Sequence, residues 1–332
     1  MLSIAPMLDW TDRHYRYLMR LMSRRVLLYT EMVNMNAILR GDPERHLAFS
    51  EQEHPVALQV AGDDPAKLAQ AAAIAREWGY DEVNLNVGCP SERVQNGNFG
   101  ACLMASPNVV ARSMAAMKRA VDIPVTVKHR IGIDELDSYE HMRSFVEEVS
   151  EAGVTRFIVH ARKAWLQGLS PKENRDIPPL RYEYVYRLKE ELPHLEIHIN
   201  GGVKSFAEVE RHLEHVDGVM VGRWAYHDPY DFACADARIF GEEAPAPSRL
   251  EVVEGYRDYV ASQQAAGARL NTLVKPLLNL MNGRPGARAW RRTLSEGVVK
   301  ASDGAQLLDA ALEAVPDSVL TERPEPHARA AA

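Results

Sequence analysis

Eight short apolar segments with the pattern of β-strands occur in the first ~240 residues of the chain, and nearly every one precedes a segment with helical periodicity. This alternation predicts parallel strands, because a crossover helix returns the chain to the same end of a sheet. A doubly wound sheet seldom needs so many consecutive units, whereas an α/β fold of the (β/α)8 TIM barrel type needs eight in about 250 residues. The predicted strands are Leu2–Met7, Val26–Thr30, Val56–Val60, Glu82–Val87, Val125–Lys128, Arg156–Val159, Glu196–Ile199 and Gly218–Val221.

The chain changes character after the eighth unit. Residues 241–247 are small, acidic and proline-bearing, as linkers often are. Strand patterns do not continue beyond them, and the predicted helices there are Leu250–Ala265, Leu270–Met281, Ala287–Glu296 and Ala305–Val315. We therefore expect a barrel domain of residues 1–240, a small all-α C-terminal domain of residues 248–316 and a disordered tail of residues 317–332. Within the barrel domain, the polar stretch of residues 31–55 is expected to consist largely of loops.

Cysteine usage limits the compartment and the chemistry. Cys89, Cys102 and Cys234 are odd in number and widely separated, without CxxC or Cys/His spacing, which argues against a disulfide framework and a structural zinc site. The pattern favours a reducing, cytoplasmic compartment. The N-terminus lacks an export signal, and no apolar run approaches the roughly 18 to 20 residues of a membrane span. We expect a soluble, monomeric protein without a resident metal.

Cys89 is the candidate catalytic residue. The strand Glu82–Val87 runs directly into Gly88 and Cys89, so the thiol follows the carboxyl end of a strand, where barrels keep their chemistry. Alternation puts Asn84 and Asn86 on one face of this strand and three aliphatic residues on the other. Buried carboxamides need hydrogen-bond partners, and a polar ligand is one option. An inert buried cysteine beside two satisfied asparagines explains the same residues equally well.

The residues that leave the eight strands face one cavity in a barrel. The last two exits, Asn-Gly-Gly and Gly-Arg, offer backbone amides and a cation where barrels of this class hold a phosphate, although each glycine alone is more often a tight turn. The exit residues are Pro6, Met7, Glu31, Gln59, Asn86, Cys89, Lys128, Arg130, His160, Asn200, Gly202, Gly222 and Arg223.

Two of these exits suit a flat, charged ligand. Lys128 would place a cation in the barrel mouth, which a carboxylate or a bound anion must compensate, and Gln59 offers a donor and an acceptor to a planar ring. With glycines for a phosphate, the set fits flavin mononucleotide (FMN), whose reduced anionic ring is stabilised by a nearby cation. The competing explanation for Lys128 is a salt bridge to Glu31 or Glu82.

A set of collinear segments resembles those of tRNA-dihydrouridine synthases, most closely the subgroup that acts on uridines 20 and 20a of the D-loop. The resemblance extends from Ile4 to about Lys300 and is specific because the motifs occur together and in order. The segments are Ala5–Asp9, Gln59–Gly62, Asn84–Ser91, Pro124–Lys128, His160–Trp165, Leu169–Arg175, Ile199–Gly202, Gly222–Arg223 and Pro285–Arg292.

The resemblance implies that FMN, reduced by NADPH, saturates the C5–C6 bond of a uridine in tRNA. Hydride would reach C6 from flavin N5, and Cys89 would deliver a proton to C5. A thiol with an ordinary pKa near 8.5 is mostly protonated at neutral pH and can serve as this acid. Asn86 and Arg130 would contact the uracil. The implied FMN ligands are Pro6, Met7, Gln59, Lys128, His160, Asn200, Gly202, Gly222 and Arg223.

Access and RNA binding follow from the same comparison. A base must leave its stack to be reduced, and the loop of residues 91–100 is predicted to move, with Gly97 and Gly100 as hinges. The net charge of −7 means that tRNA would need a local basic surface. Arg288, Arg291 and Arg292 share one face of a predicted helix beside Trp290. A solvated helix face usually explains such a cluster, but its combination with an aromatic residue and with a basic loop after the sixth strand favours RNA. The predicted tRNA contacts are Arg162, Lys163, Arg175, Arg288, Arg291 and Arg292.

The residues leave two other functions open. A flavin barrel that reduces a free pyrimidine or an enone would also place a cysteine on a mobile loop, but it would leave the basic helical region unexplained. A non-catalytic RNA-binding barrel would use the arginines and bind no flavin.

Overall fold

Eight parallel strands form a closed ring, which confirms the predicted (β/α)8 barrel. The computed structural model describes residues 1–95 and 97–325. The ring closes where Leu28 of the second strand pairs with Val56 of the third, and an extra two-residue strand, Val33–Asn34, also pairs with the third. The barrel strands are β1 Leu2–Ile4, β2 Leu27–Tyr29, β3 Val56–Ala61, β4 Glu82–Val87, β5 Val125–Arg130, β6 Arg156–His160, β7 Glu196–Asn200 and β8 Gly218–Val221.

The described chain divides into two compact units. The first consists of residues 1–8, 27–49 and 54–222 and contains all eight barrel strands. Its α-helices are Met35–Arg40, Pro43–Leu47, Pro65–Glu77, Glu92–Gln95, Pro107–Ala120, Tyr139–Glu151, Tyr182–Glu191 and Phe206–Leu213, and its 3-10 helices are Gly100–Ala105 and Glu173–Arg175.

The described part of the second unit consists of residues 9–26, 50–53 and 223–325, and its elements are all helical. Its longest helix begins at a capping box in which Ser248 and Glu251 each bind the other's backbone amide. Its α-helices are Arg13–Met22, Arg223–His227, Ala235–Phe240, Arg249–Ala265, Leu270–Val274, Ala287–Gly297, Gly304–Leu312 and Asp317–Leu320, and its 3-10 helices are Glu51–Glu53, Pro229–Cys234 and Lys275–Asn279.

Local sequence signals account for most helix starts. The helix Pro65–Glu77 begins with the Asp64 side chain accepting from the amides of Ala66 and Lys67 and with proline at the first position. Inside the barrel, an apolar cluster fills part of the interior, and the rest is polar, as described below. The cluster consists of Ala5, Leu27, Tyr29, Ala57, Ile158 and Met220.

Two expectations about secondary structure are wrong. The presumed loops of residues 31–55 contain the helices Met35–Arg40 and Pro43–Leu47, each capped by a side chain of the preceding residue, Asn34 or Asp42. The expected continuous helix from Leu270 to Met281 changes to 3-10 geometry at Lys275, because Pro276 cannot donate a backbone hydrogen bond. In the segment predicted to be a tail, residues 317–320 are helical, while residues 326–332 lie outside the described residues.

Candidate active site at the carboxyl ends of the strands

Cys89 follows β4 in a turn that is fixed by Asn86. The Oδ1 atom of Asn86 accepts hydrogen bonds from the backbone amides of Gly88 at 3.1 Å and of Cys89 at 2.9 Å. The thiol is half-buried, and its Sγ atom lies 3.4 Å from the hydroxyl oxygen of Ser91. The asparagine that sequence reasoning assigned to uracil therefore also holds the backbone of the candidate catalytic residue.

Gly100 closes the other side of this turn. The amide of Ala101 donates to the carbonyl of Cys89 at 2.9 Å, and Gly100 has a φ of +74°. A Cβ atom on Gly100 would lie 2.6 Å from the Cys89 carbonyl oxygen, so the close approach requires glycine. The predicted movement of the loop of residues 91–100 stays a prediction, and Asn96 within it lies outside the described residues.

Lys128 brings a cation to the mouth of the barrel without a compensating carboxylate. It pairs in register with Asn86, and within the described chain no hydrogen bond or salt bridge joins its ammonium group to another residue. Neither alternative bridge is present in the described chain: Glu82 is paired with Arg156 at 2.6 Å, and no salt bridge joins Lys128 to Glu82 or to Glu31. Burial, and then the positive charge of Arg130, lower the pKa of Lys128 to about 7. A bound anion would favour the protonated form.

His160 ends β6 and is neutral at neutral pH. Burial, followed by the charges of Arg130 and Lys128, lowers the pKa of His160 well below its usual value. Within residues 1–95 and 97–325, its Nδ1 atom has no hydrogen-bond partner. A buried ring nitrogen without a partner is costly, so this atom is suited to a ligand.

Arg130 joins the loops that follow β4 and β6. Its Nε atom donates to the carbonyl of Gly88 at 2.8 Å, and one terminal nitrogen donates to the carbonyls of Lys163 at 2.9 Å and Asn174 at 3.1 Å. Burial lowers the pKa of Arg130 to about 10, which leaves it charged at neutral pH. The Asn174 side chain is itself bound to the backbone of Trp165 in both directions. Much of the guanidinium is thus committed to loop carbonyls.

The exits of β7 and β8 have the bare backbone that was predicted. Gly201 and Gly202 have φ values of +114° and +77°, and a Cβ on Gly202 would lie 2.6 Å from Leu180. Asn200 donates from its side chain to the carbonyl of Met220 at 2.7 Å, which ties the two exits together. The remaining candidates are distributed as follows: Pro6 and Met7 are half-buried after β1, Gly222 directly follows β8, and Arg223 begins a helix of the second unit.

The three predicted basic contacts in the loop after β6 all interact with other residues of the protein. Arg162 donates to the carbonyls of Asp176 and Pro178, and Lys163 forms a salt bridge with Asp137 at 2.9 Å. Arg175 is exposed. The contacts with distant parts of the sequence that hold Arg162 and Lys163 carry no local signal.

The arginines of the second unit lie on the exposed face of the helix Ala287–Gly297. Arg288, Arg291 and Arg292 are exposed, whereas Trp290 is completely buried and donates from Nε1 to the carbonyl of Leu277 at 2.8 Å. The tryptophan is therefore a core residue, and the suggestion that it supports an RNA surface is wrong. The three cations keep the spacing predicted for them.

The described residues contain neither a candidate metal site nor a candidate membrane span. Between residues 1 and 325, Asn96 aside, no group of three or more His, Cys, Asp or Glu side chains is arranged to hold a metal ion. No helix in the described part of the chain has the length and apolar character needed to cross a membrane.

Comparison with known proteins identifies the family and the fold. A model of the family described as dihydrouridine synthase matches residues 3–316. A tRNA-dihydrouridine(20/20a) synthase from Synechocystis sp. is 59% identical over 313 residues, which cover 94% of each chain. A protein of the same name from Vibrio parahaemolyticus is 56% identical over 316 residues, covering 95% of this chain and 97% of that one. A solved 2-naphthoyl-CoA reductase complex shares the fold, with 11% identity and a TM-score of 0.54 over 69% of this chain and 48% of its own.

Proposed function

The chain belongs to the dihydrouridine synthase family, and from this premise we propose that it reduces the C5–C6 double bond of uridine in the tRNA D-loop, at positions 20 and 20a. The observation that carries the proposal is Cys89 at the exit of β4, beside the uncompensated cation of Lys128 on β5. One group can give a proton to the substrate, and the other can stabilise an anion.

The residues of the first unit fit FMN as the cofactor, with NADPH as the reductant. Lys128 lacks an anionic partner within the described chain, His160 has a ring nitrogen without a partner, and the glycines after β7 and β8 carry no side chains of their own beside a phosphate. When bound, the flavin supplies hydride to the substrate. The first-unit residues proposed to hold it are Pro6, Met7, Gln59, Lys128, His160, Asn200, Gly202 and Gly222, while Arg223 stays a prediction from sequence.

Cys89 acts as a general acid in this proposal and gives its proton to C5. Its contact with the Ser91 hydroxyl supports this role, because a hydroxyl does not remove a proton at neutral pH as the base of a thiolate nucleophile would. The target base must leave its stack to reach the thiol. Asn86 keeps one N–H for the uracil edge, and Arg130 adds positive charge beside it.

We further propose that the second unit binds the RNA backbone through Arg288, Arg291 and Arg292. Exposed cations on one helix face suit phosphates, which position a nucleic acid without reading its sequence. In the first unit, Arg175 is the exposed member of the predicted set. Arg162 and Lys163, which are bound within the protein, would attract the RNA by their positive charge rather than by direct contact.

The mass of tRNA after incubation with enzyme and NADPH tests this function. Formation of dihydrouridine adds two hydrogens, and sequencing by mass locates them at 20 and 20a. Cys89→Ala is expected to slow the gain by about 10²- to 10⁴-fold, the usual value of a general acid. Cys102→Ala is the matched control, since Cys102 is also half-buried and its thiol donates to a backbone carbonyl, that of Phe99 at 3.0 Å. No added mass with the unmodified enzyme, or equal loss in both variants, would refute the proposal.

A further inference from the structure

A chain of hydrogen bonds runs through the barrel interior from the amino end of β4 to the turn that carries Cys89. Its members, which we call the interior hydrogen-bond chain, are buried polar residues with exposed fractions between 0 and 8%. Barrels usually fill such positions with branched aliphatic residues, and burying polar groups instead is costly. The members are Glu82, Thr126, Asn84, Gln59 and Asn86.

The Glu82 end of the interior hydrogen-bond chain fixes which group donates and which accepts in every bond. The Glu82 carboxylate, in a salt bridge with Arg156, can only accept, so Thr126 donates to it at 2.6 Å. The Thr126 oxygen therefore accepts from Nδ2 of Asn84 at 2.8 Å, which turns Oδ1 of Asn84 toward Gln59. Tyr29 donates to the same Glu82 oxygen at 2.6 Å, and burial beside that carboxylate raises the tyrosine pKa well above its usual value.

The Asn86 end of the interior hydrogen-bond chain independently requires the same donors and acceptors. Gln59 donates from Nε2 to Oδ1 of Asn84 at 2.8 Å and accepts at Oε1 from Nδ2 of Asn86, also at 2.8 Å. Oδ1 of Asn86 then faces the amides of Gly88 and Cys89, which can only donate. Flipping any one carboxamide would oppose two donors or two acceptors. Each amide therefore has one orientation that satisfies both ends.

We infer that Thr126 and Asn84 are positioning residues for Cys89, because they set the orientation of Gln59 and Asn86 and thereby the turn that holds the thiol. The inference rests on the proposed function for the role of Cys89 as acid. The positioning itself depends only on hydrogen bonds within the first unit. Neither residue touches the reacting atoms.

Removing the Thr126 hydroxyl tests the inference. Thr126→Val leaves Asn84 without its acceptor and removes the direction imposed by Glu82. The amides of Gly88 and Cys89 are then expected to exchange with solvent about five- to tenfold faster, as loss of one hydrogen bond predicts. Alkylation of Cys89 by iodoacetamide, followed in its own peptide by mass spectrometry, is expected to accelerate by a similar factor. Thr126→Ser, which keeps the hydroxyl, restores both rates.

Thr30→Val is the matched control. The Thr30 hydroxyl is buried and accepts from the backbone amide of Gln59 at 3.0 Å, so its loss removes a buried hydroxyl without touching the carboxamides. Exchange at Gly88 and Cys89 should stay within about twofold in this variant. If Thr126→Val does not fold, Thr126→Ala removes the same hydroxyl with less crowding and is read in the same way.

The outcomes separate this inference from the proposed function. Unchanged exchange and alkylation in the Thr126 variant, an equal change in Thr30→Val, or no rescue by serine would overturn the positioning role. Absence of dihydrouridine in every protein would defeat the proposed function alone, since neither exchange nor alkylation needs flavin, NADPH or tRNA. If both ideas hold, Thr126→Val lowers kcat and leaves the KM for tRNA within about twofold, because RNA contacts are unaffected.

Discussion

Replacing Lys128 by methionine should make the flavin-free protein more stable while abolishing flavin binding. The side chain keeps its length and loses the charge that no carboxylate in the described chain compensates. The pKa of Lys128 is about 7 in the folded protein, against an ordinary value of 10.5. At ~1.4 kcal/mol for each unit of pKa, the protonated lysine costs the folded state about 5 kcal/mol below pH 7.

The sign of the pH dependence follows from proton binding. Between pH 7 and 10.5 the unfolded chain binds more protons at this site than the folded chain does, so the free energy of unfolding of the unmodified protein rises with pH. The advantage of Lys128→Met should therefore be about 4 kcal/mol at pH 7 and about 2 kcal/mol at pH 9. Folding of the methionine variant has no such dependence at this position.

Equilibrium unfolding in urea at both pH values measures the difference, with the flavin removed from each protein. Lys189→Met is the control, because Lys189 is paired with Asp217 at 2.8 Å and its loss should destabilise the protein. Bound flavin after purification is read from the absorbance spectrum. A Lys128→Met protein that is no more stable at pH 7, or whose advantage does not shrink by pH 9, would refute the reasoning from an uncompensated cation.

Two further substitutions test the predicted phosphate site of the flavin and the predicted RNA surface. Gly202→Ala should lower the free energy of unfolding by about 1–3 kcal/mol and weaken flavin retention, because a side chain there is strained and crowded. Gly168→Ala, at a similar φ of +82° with open space around it, should keep its flavin, as read from the absorbance spectrum. Arg291→Glu combined with Arg292→Glu should weaken tRNA binding, and the slope of the logarithm of the binding constant against that of the salt concentration should fall by at least ~1, with flavin content intact. Arg45→Glu, at an exposed position, should change neither the affinity nor the slope. An unchanged affinity in a salt-controlled assay would contradict the assignment.

The strands and their exits could be predicted from the sequence because their signals are local. Alternation of side chains gave the bounds of Glu82–Val87 to the residue, and the position of Cys89 followed from them. The polar face of Asn84 and Asn86 was visible in the same way. Their partners were not, because Gln59 and Thr126 meet Asn84 only through the register between neighbouring strands.

The same distinction explains what the sequence does not reveal. The role of Lys163 in binding tRNA stays a prediction from its charge, and its salt bridge with Asp137 has no local signal because it depends on two loops meeting. The residues around Trp290 in the sequence do not show whether its side chain faces solvent or the core. Its complete burial depends on how the helix packs. The helices between residues 31 and 55 are too short for periodicity to reveal, although Asn34 and Asp42 are recognisable caps.

The link that Arg130 makes between the loops after β4 and β6 limits how the enzyme can be redesigned. One guanidinium holds carbonyls from the loops after β4 and β6, and Gln95 makes a second link by donating to the carbonyls of Pro90 and Leu166, both at 2.8 Å. Grafting either loop alone from a relative with another specificity would break this shared framework. We therefore expect that an exchange of specificity requires both loops to be transferred together with Arg130.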